Sequence, residues 1–273
     1  MNLFVVRLIP ETEPMFIDSH AHIDGHKFEN DREEMIQRAR DNGVEIIVEI
    51  CNGDVERGSL EEGIEIAEQH PFIFAAVGLH PHDAKLWDDQ MESRLRKLAQ
   101  SSKVIAWGEI GLDFYYNHSD PNVQRAVFRR QLEIAGELNL PVVIHSREAN
   151  RETIDILREN RHSKQKAGIF HCFSGDMEMA LAAIDLGFMI SFAGSLTFKK
   201  ATDLRSVAKE LPLGRLLIET DCPFLTPEPH RGKRNEPAYV TQVARQLGEL
   251  KGISAEEIGR MTTENFYRFY GMK

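Results

Sequence analysis

The chain is short of the features that mark several protein classes. It has three cysteines in 273 residues, Cys51, Cys172 and Cys222. That is too few, and odd in number, for a disulfide framework, and it points to a reducing, cytoplasmic setting. No apolar stretch approaches the roughly 18 residues that span a bilayer, so no membrane partner is expected. The opening residues 2–9 are partly apolar but lack a basic flank and a small-residue cleavage site, which argues against a secretory signal. An excess of positive charge is missing too: the formal net charge is −10 at pH 7. A protein that grips a long duplex through many phosphate contacts is usually basic, so a small molecule or a strand end is the expected substrate. Nothing reads as a low-complexity linker, a charge block or an internal repeat, and no segment suggests an obligate protein partner. We therefore expect one catalytic domain over 15–273, preceded by a non-catalytic extension, 1–14.

What the chain does have is alternation. Short apolar runs lie near 15–19, 44–50, 72–78, 104–110, 141–145, 167–172, 187–192 and 215–220. Longer amphipathic stretches fall between them, near 29–42, 58–69, 89–100, 121–139, 150–160, 176–186 and 200–209. Short continuous runs read as strands buried on both faces of a parallel sheet, and amphipathic ones as covering helices. Pro121 suits a first helical turn, and Gly43 and Gly187 suit positions just past helix ends. Eight strands separated by helices are the count of an α/β (β/α)8 TIM barrel, a fold that closes in about 250 residues. Two further helices are expected over 236–251 and 254–269, the second capped by Ser254 with Glu257 at the capping-box position.

The chemistry-bearing residues recur at one place in this pattern. The first run ends in Asp18-Ser19-His20-Ala21-His22; Glu109 sits in the fourth, His145 ends the fifth, His171 ends the sixth, and Glu219-Thr220-Asp221 closes the eighth. Barrel enzymes place their chemistry where strand C-termini converge. Strand alternation puts Asp18, His20 and His22 on one face and turns Cys172 away from His171, leaving that thiol a small buried apolar group. His20, His22, Glu109, His145, His171 and Asp221 exceed what one tetrahedral zinc needs, and two divalent cations sharing Glu109 would use all six. Imidazoles favour zinc, while carboxylates and a phosphate substrate admit magnesium or manganese.

The blocks Asp18-Ser19-His20-Ala21-His22, Gly78-Leu79-His80-Pro81, Gly108-Glu109-Ile110-Gly111-Leu112-Asp113, His145-Ser146-Arg147, His171-Cys172-Phe173-Ser174-Gly175 and Glu219-Thr220-Asp221-Cys222-Pro223 resemble the TatD family of metal-dependent hydrolases and deoxyribonucleases. The resemblance runs in order from Met15 to about Tyr270. It implies an amidohydrolase-like barrel in which His20, His22, Glu109 and Asp221 hold one cation and Glu109, His145 and His171 the other. It further implies a nuclease acting on DNA.

On these grounds the expected activity is phosphodiester hydrolysis by water activated between two metals, acting 3′ to 5′ on single strands or frayed ends. Asp221 is the candidate to orient that water and take its proton. Glu219, two residues earlier and about 6.6 Å deeper on the same strand face, is expected behind the cations, steering a ligating histidine. His80, Arg147 and the basic cluster Arg231 and Lys233 are the candidate substrate contacts, with Phe114, Tyr115 and Tyr116 as possible base-stacking groups. The competing enzymatic reading is hydrolysis of an ester, lactone or amide, acyl-tRNA deacylation included. A metal-binding scaffold would be expected to have lost Asp221.

Overall fold

Each short apolar run contains Val or Ile, β-branched residues that pack well on a pleated surface. In the computed structural model, which describes residues 15–52, 55, 58–160 and 166–272, each run forms a strand. The strands are β1 (Phe16–Ala21), β2 (Val44–Cys51), β3 (Ile73–Val77), β4 (Val104–Asp113), β5 (Val142–Arg147), β6 (Gly168–Phe170), β7 (Met189–Phe192) and β8 (Leu216–Ile218). The helices are α1 (Arg32–Asp41), α2 (Ser59–Gln69), α3 (Asp89–Leu98), α4 (Pro121–Leu138), α5 (Asn150–Glu159), α6 (Met177–Asp185), α7 (Thr202–Glu210), α8 (Val240–Lys251) and α9 (Ala255–Tyr270). The extension expected over 1–14 lies outside the described residues.

The strands pair in parallel in the order β1 to β8, which is a (β/α)8 barrel. Seven of its seams are backbone ladders. The eighth, between β1 and the segment ending β8, combines two backbone bonds, Asp221 N to His20 O at 3.0 Å and His22 N to Cys222 O at 2.8 Å, with side-chain ones. The Asp18 carboxylate accepts from Thr220 N at 2.8 Å and Thr220 Oγ1 at 2.5 Å. Ser19 Oγ donates to Ile218 O at 3.0 Å. One apolar cluster draws on every strand, with Ile17, Val48, Ala76, Ala106, Val143, Ile169, Met189 and Leu217, and is plugged by Phe266 of α9. The larger core lies between the strands and the helical ring.

Local chemistry sets several boundaries as expected. Pro121 opens α4, and Ser254 caps α9 by accepting from Glu257 N at 3.1 Å. Gly43 and Gly187 follow their helices with φ of +79° and +89°. Three boundaries differ. The 236–251 segment starts as a 3-10 turn, Pro237–Tyr239, before α8. Strands 6 and 8 stop early, at Phe170 and Ile218, because Cys172 (φ +42°) and Asp221 (φ +55°) turn the chain into the left-handed region. Strand alternation therefore does not govern Cys172, Glu219 or Asp221. A 3-10 segment after β3, Pro81–Leu86, was not visible in the sequence, since so short a piece carries no helical period.

Candidate metal centre

The site begins with two of the register shifts in the strand ladders. Between β4 and β5 the register passes from Gly108↔Val143 to Ile110↔Ile144, so Glu109 is an extra residue with no opposite number. Between β1 and β2 it passes from Asp18↔Ile47 to Ala21↔Glu49, three steps against two, around His20. A bulge re-aims the side chain it carries. Past Glu109 the two chains run very close: a Cβ at Gly111 (φ +144°) would lie 2.0 Å from His145 O, so only glycine fits.

Glu109, 2% exposed, is the hub. Its Oε1 lies 2.6 Å from His171 Nε2, 2.8 Å from His145 Nδ1 and 3.4 Å from His80 Nε2. Its Oε2 lies 3.5 Å from His20 Nε2 and 4.0 Å from His22 Nε2, and accepts from Asn52 Nδ2 at 3.1 Å. Asp221 Oδ1 completes the second group, 3.4 Å from His22 Nε2 and 3.7 Å from His20 Nε2. Each oxygen of one carboxylate thus faces its own set of imidazoles. His20 stacks on His171 across the divide, ring centroids 3.8 Å apart.

This donor set fits divalent cations. His20 Nε2 and His22 Nε2 face each other at 3.3 Å, as do His145 Nδ1 with His171 Nε2 and with His80 Nε2, both at 3.4 Å. Each facing pair can share one proton and otherwise opposes two lone pairs, whereas a cation accepts both. Three groupings bring ligand atoms within 4.8 Å of one another: His20, His22 and Glu109; His80, Glu109 and His145; and His20, His171 and Glu219.

The electrostatics agree. Burial works against every charge here, yet Glu109 is held well below the usual carboxylate range by His171, His80 and His145. Burial opposes the His171 cation too, but Glu109 and Glu219 outweigh it and the pKa rises well above the ordinary value. His22 is raised to about 9 against its burial by Asp221 and Glu109, while burial and the neighbouring His171 lower His20. Burial drops His80 to about 4. The pocket draws in positive charge, as protons when nothing else supplies it.

Outer carboxylates hold the rings. His171 Nδ1 is 3.3 Å from Glu219 Oε1, and that oxygen also accepts from Cys172 N at 2.6 Å. His145 Nε2 is 3.0 Å from Asp113 Oδ2, which His82 Nε2 also meets at 3.0 Å. Glu219 reaches His171 by way of the turn after β8 rather than along a continuing strand. Asp18 differs from expectation: although grouped with His20 and His22 by alternation, it turns to Thr220 across the seam. The sequence reading gave Asp113, Asn52 and His82 no role. Asp113 had a signal, since Glu109, Gly111 and Asp113 follow the two-residue strand period; Asn52 and His82 had none.

Of the candidate substrate contacts, His80 lies inside the cluster itself. Arg147 is exposed beside it, its guanidinium 4.1 Å from the Tyr115 ring centroid and 4.7 Å from that of Tyr116. Arg231 donates to Thr226 O at 3.0 Å and covers Phe198 at 4.0 Å, turned to its own loop, and Lys233 is exposed. That loop is anchored by Arg234, whose Nη1 and Nη2 meet Asp31 at 2.7 and 2.6 Å.

A parallel eight-stranded barrel with a buried carboxylate shared by imidazoles at its C-terminal rim defines the metal-dependent hydrolase barrels. The family model described as TatD related DNase matches residues 17–271, and the chain belongs to this family. YabD of Bacillus subtilis, named an uncharacterized metal-dependent hydrolase, is 43% identical over 94% of this chain and 99% of its own. A protein of Erwinia tasmaniensis named 3′-5′ ssDNA/RNA exonuclease TatD is 34% identical over 93% of this chain and 99% of its own. The crystal structure of YjjV, a TatD homologue of Escherichia coli, superposes with a TM-score of 0.87 at 30% identity, covering 94% of this chain and 98% of that one. This chain is accordingly a metal-dependent hydrolase of the TatD family. No helix among the described residues is long and apolar enough to cross a membrane.

Proposed function

We propose that this protein is a deoxyribonuclease that removes nucleotides from the 3′ end of single-stranded DNA with two divalent cations. The observation that carries the reading is the division of Glu109, one oxygen facing His20 and His22, which Asp221 also meets, and the other facing His145 and His171. The exonuclease name of the Erwinia relative supports the substrate class. Cations held by these residues supply Lewis-acid charge that polarises a phosphodiester and lowers the pKa of water.

The chain's own residues do the rest. Asp221 is held below the ordinary carboxylate range: burial alone would raise it, but the hydrogen bond from His22 and the charge of His171 prevail. A carboxylate held ionised is fit to accept a hydrogen bond from a water and orient it; the lowered pKa makes it a weak base, so taking the proton would rely on bound cations acidifying that water. Glu219 and Asp113 fix the His171 and His145 rings, so little reorganisation accompanies reaction. Arg147, adjacent in sequence to the metal cluster's β5 residues, is the group to hold a non-bridging phosphate oxygen.

The test compares, with one metal, a 3′-labelled linear single strand, the same strand with phosphorothioate at its 3′-terminal linkages, and a closed single-stranded circle. Fast release from the first, slowing on the second and no cutting of the third are expected. Rapid cutting of the circle would make the enzyme an endonuclease. Inertness towards all three with brisk ester or lactone cleavage would overturn the phosphodiester reading.

A further inference from the structure

Among the described residues, half-exposed aromatic rings are confined to one end of the barrel. Among the described residues the large aromatic side chains that are half exposed are Tyr115 (52%), Tyr116 (50%) and Phe224 (50%). Tyr115 and Tyr116 follow β4, and Phe224 follows β8, so all three stand at the C-terminal rim. They stand on opposite flanks of the cluster. The Phe224 ring meets His22 edge-on, centroids 6.0 Å apart, on the His20, His22 and Asp221 side. Tyr116 meets His82 edge-on at 5.5 Å, and His82 bonds the same Asp113 carboxylate that holds His145, on the other side.

Each flank also carries a cation against its ring. Lys27 Nζ lies 4.6 Å from the Phe224 centroid, and the Arg147 guanidinium lies against both tyrosines. An exposed aromatic surrounded by apolar neighbours would suit a protein partner. A ring paired with a cation on each side of a phosphate-directed centre matches instead the base-and-phosphate repeat of an unpaired strand. Half exposure of three rings has no folding benefit, because burying them would stabilise the chain.

We infer that Phe224 and the Tyr115–Tyr116 pair are two base-stacking platforms that receive the nucleotides on either side of the scissile phosphate. This rests on the proposed nuclease function and deepens it. The substrate it defines is unpaired nucleic acid with a base on both flanks of the cleaved linkage, since a base stacked in duplex cannot reach either ring. Phe224 carries no chemistry and acts by positioning.

The experiment is a set of cycles between variants and abasic oligonucleotides, run on the metal-reconstituted full chain. Phe224→Ala should raise KM for a linear single strand about tenfold with kcat little changed, the size expected for one lost stack. Phe224→Trp should restore it. An abasic residue on one flank of the cleaved linkage should cost wild type as much as Phe224→Ala costs, and the two losses should not add. Tyr116→Ala should show the same non-additivity with an abasic residue on the opposite flank. Thermal midpoints of all variants should stay near wild type, as the rings are half exposed. Additive losses on both flanks, in a wild type that cleaves DNA, would remove the platforms and leave the function standing. A wild type inert towards every oligonucleotide would overturn both.

Discussion

The seam between β4 and β5 and the seam between β8 and β1 deliver two halves of one cluster by different means. β4 and β5 run six residue pairs in register, from Trp107↔Val142 to Asp113↔Arg147, with Glu109 bulged out of the ladder. That seam depends on backbone and on the absence of a Cβ at Gly111. β8 has three residues, and its junction with β1 adds the Asp18, Ser19 and Thr220 side chains to only two backbone bonds, at Asp221 and His22. A ladder is indifferent to most side chains but fails against a single methyl group, while a stitched seam has the reverse weakness. The cluster is pinned by both, so it is vulnerable to two unrelated kinds of change.

The largest expected effect is on the residue both seams serve. Glu109→Gln should cut turnover on the order of a thousandfold or more and lower metal content at both positions. Asp221→Asn should abolish turnover while the histidines and Glu109 retain metal and the fold persists. Elemental analysis beside kinetics checks both, and equal metal loss in the two variants would mean that Asp221 is as much a bridge as Glu109.

Next come the seams themselves. Gly111→Ala should destabilise by roughly 2–4 kcal/mol, through a clash with His145 O and a φ that alanine resists. Asp18→Ala should cost about 2–4 kcal/mol by leaving Thr220 N and Oγ1 unpaired in the interior. Denaturant unfolding measures each. A seam difference worth keeping requires that Asp18→Ala weaken metal binding at the His20, His22 and Asp221 group more than at the other.

Smaller again are the carboxylates behind the rings. Asp113→Asn and Glu219→Gln should each lose about 10–100-fold in activity or metal affinity, with partial rescue at high metal concentration. Inactivation of Glu219→Gln as complete as that of Asp221→Asn at saturating metal would promote Glu219 to direct ligation.

A pH slope bears on the seam between β8 and β1. Burial pushes the Asp18 carboxyl up to about 8, only partly offset by the Thr220 hydrogen bonds. Its folded pKa is raised, so between about pH 4 and pH 8 the native chain keeps a proton that the unfolded chain releases, and stability falls as pH rises. Thermal midpoints at pH 5 and pH 8 should differ less in Asp18→Asn than in wild type. An unchanged difference would show that the seam carboxyl does not titrate in that window.

The regular half of this architecture was legible. Period and turn residues gave eight strands and their helices, because buried parallel strands read as continuous apolar runs between amphipathic ones. The ligand-type residues were legible because strand ends repeat. The bulges at His20 and Glu109 were not: an extra residue in a ladder leaves no mark in composition or period, yet it aims both side chains. The left-handed turns at Cys172 and Asp221 were nearly as silent, since Cys gives no sign of positive φ and a single Asp only a weak one, so strand alternation does not hold there. Phe224 was invisible as a site residue because exposure, not identity, distinguishes it.

The stitching of β8 to β1 also sets the order in which the protein acquires its chemistry during synthesis. Thr220 and Asp18 are 202 residues apart in sequence, and Asp221, His20 and His22 come together only when that contact closes. Closure of so long a loop is entropically late, and the ribosome delivers β8 among the last elements. A nascent chain that has emerged through His171 already carries Glu109, His145 and His171, whereas Asp221 comes fifty residues later. The complete cluster, and with it the hydrolase chemistry, is therefore expected only once β8 has docked on β1.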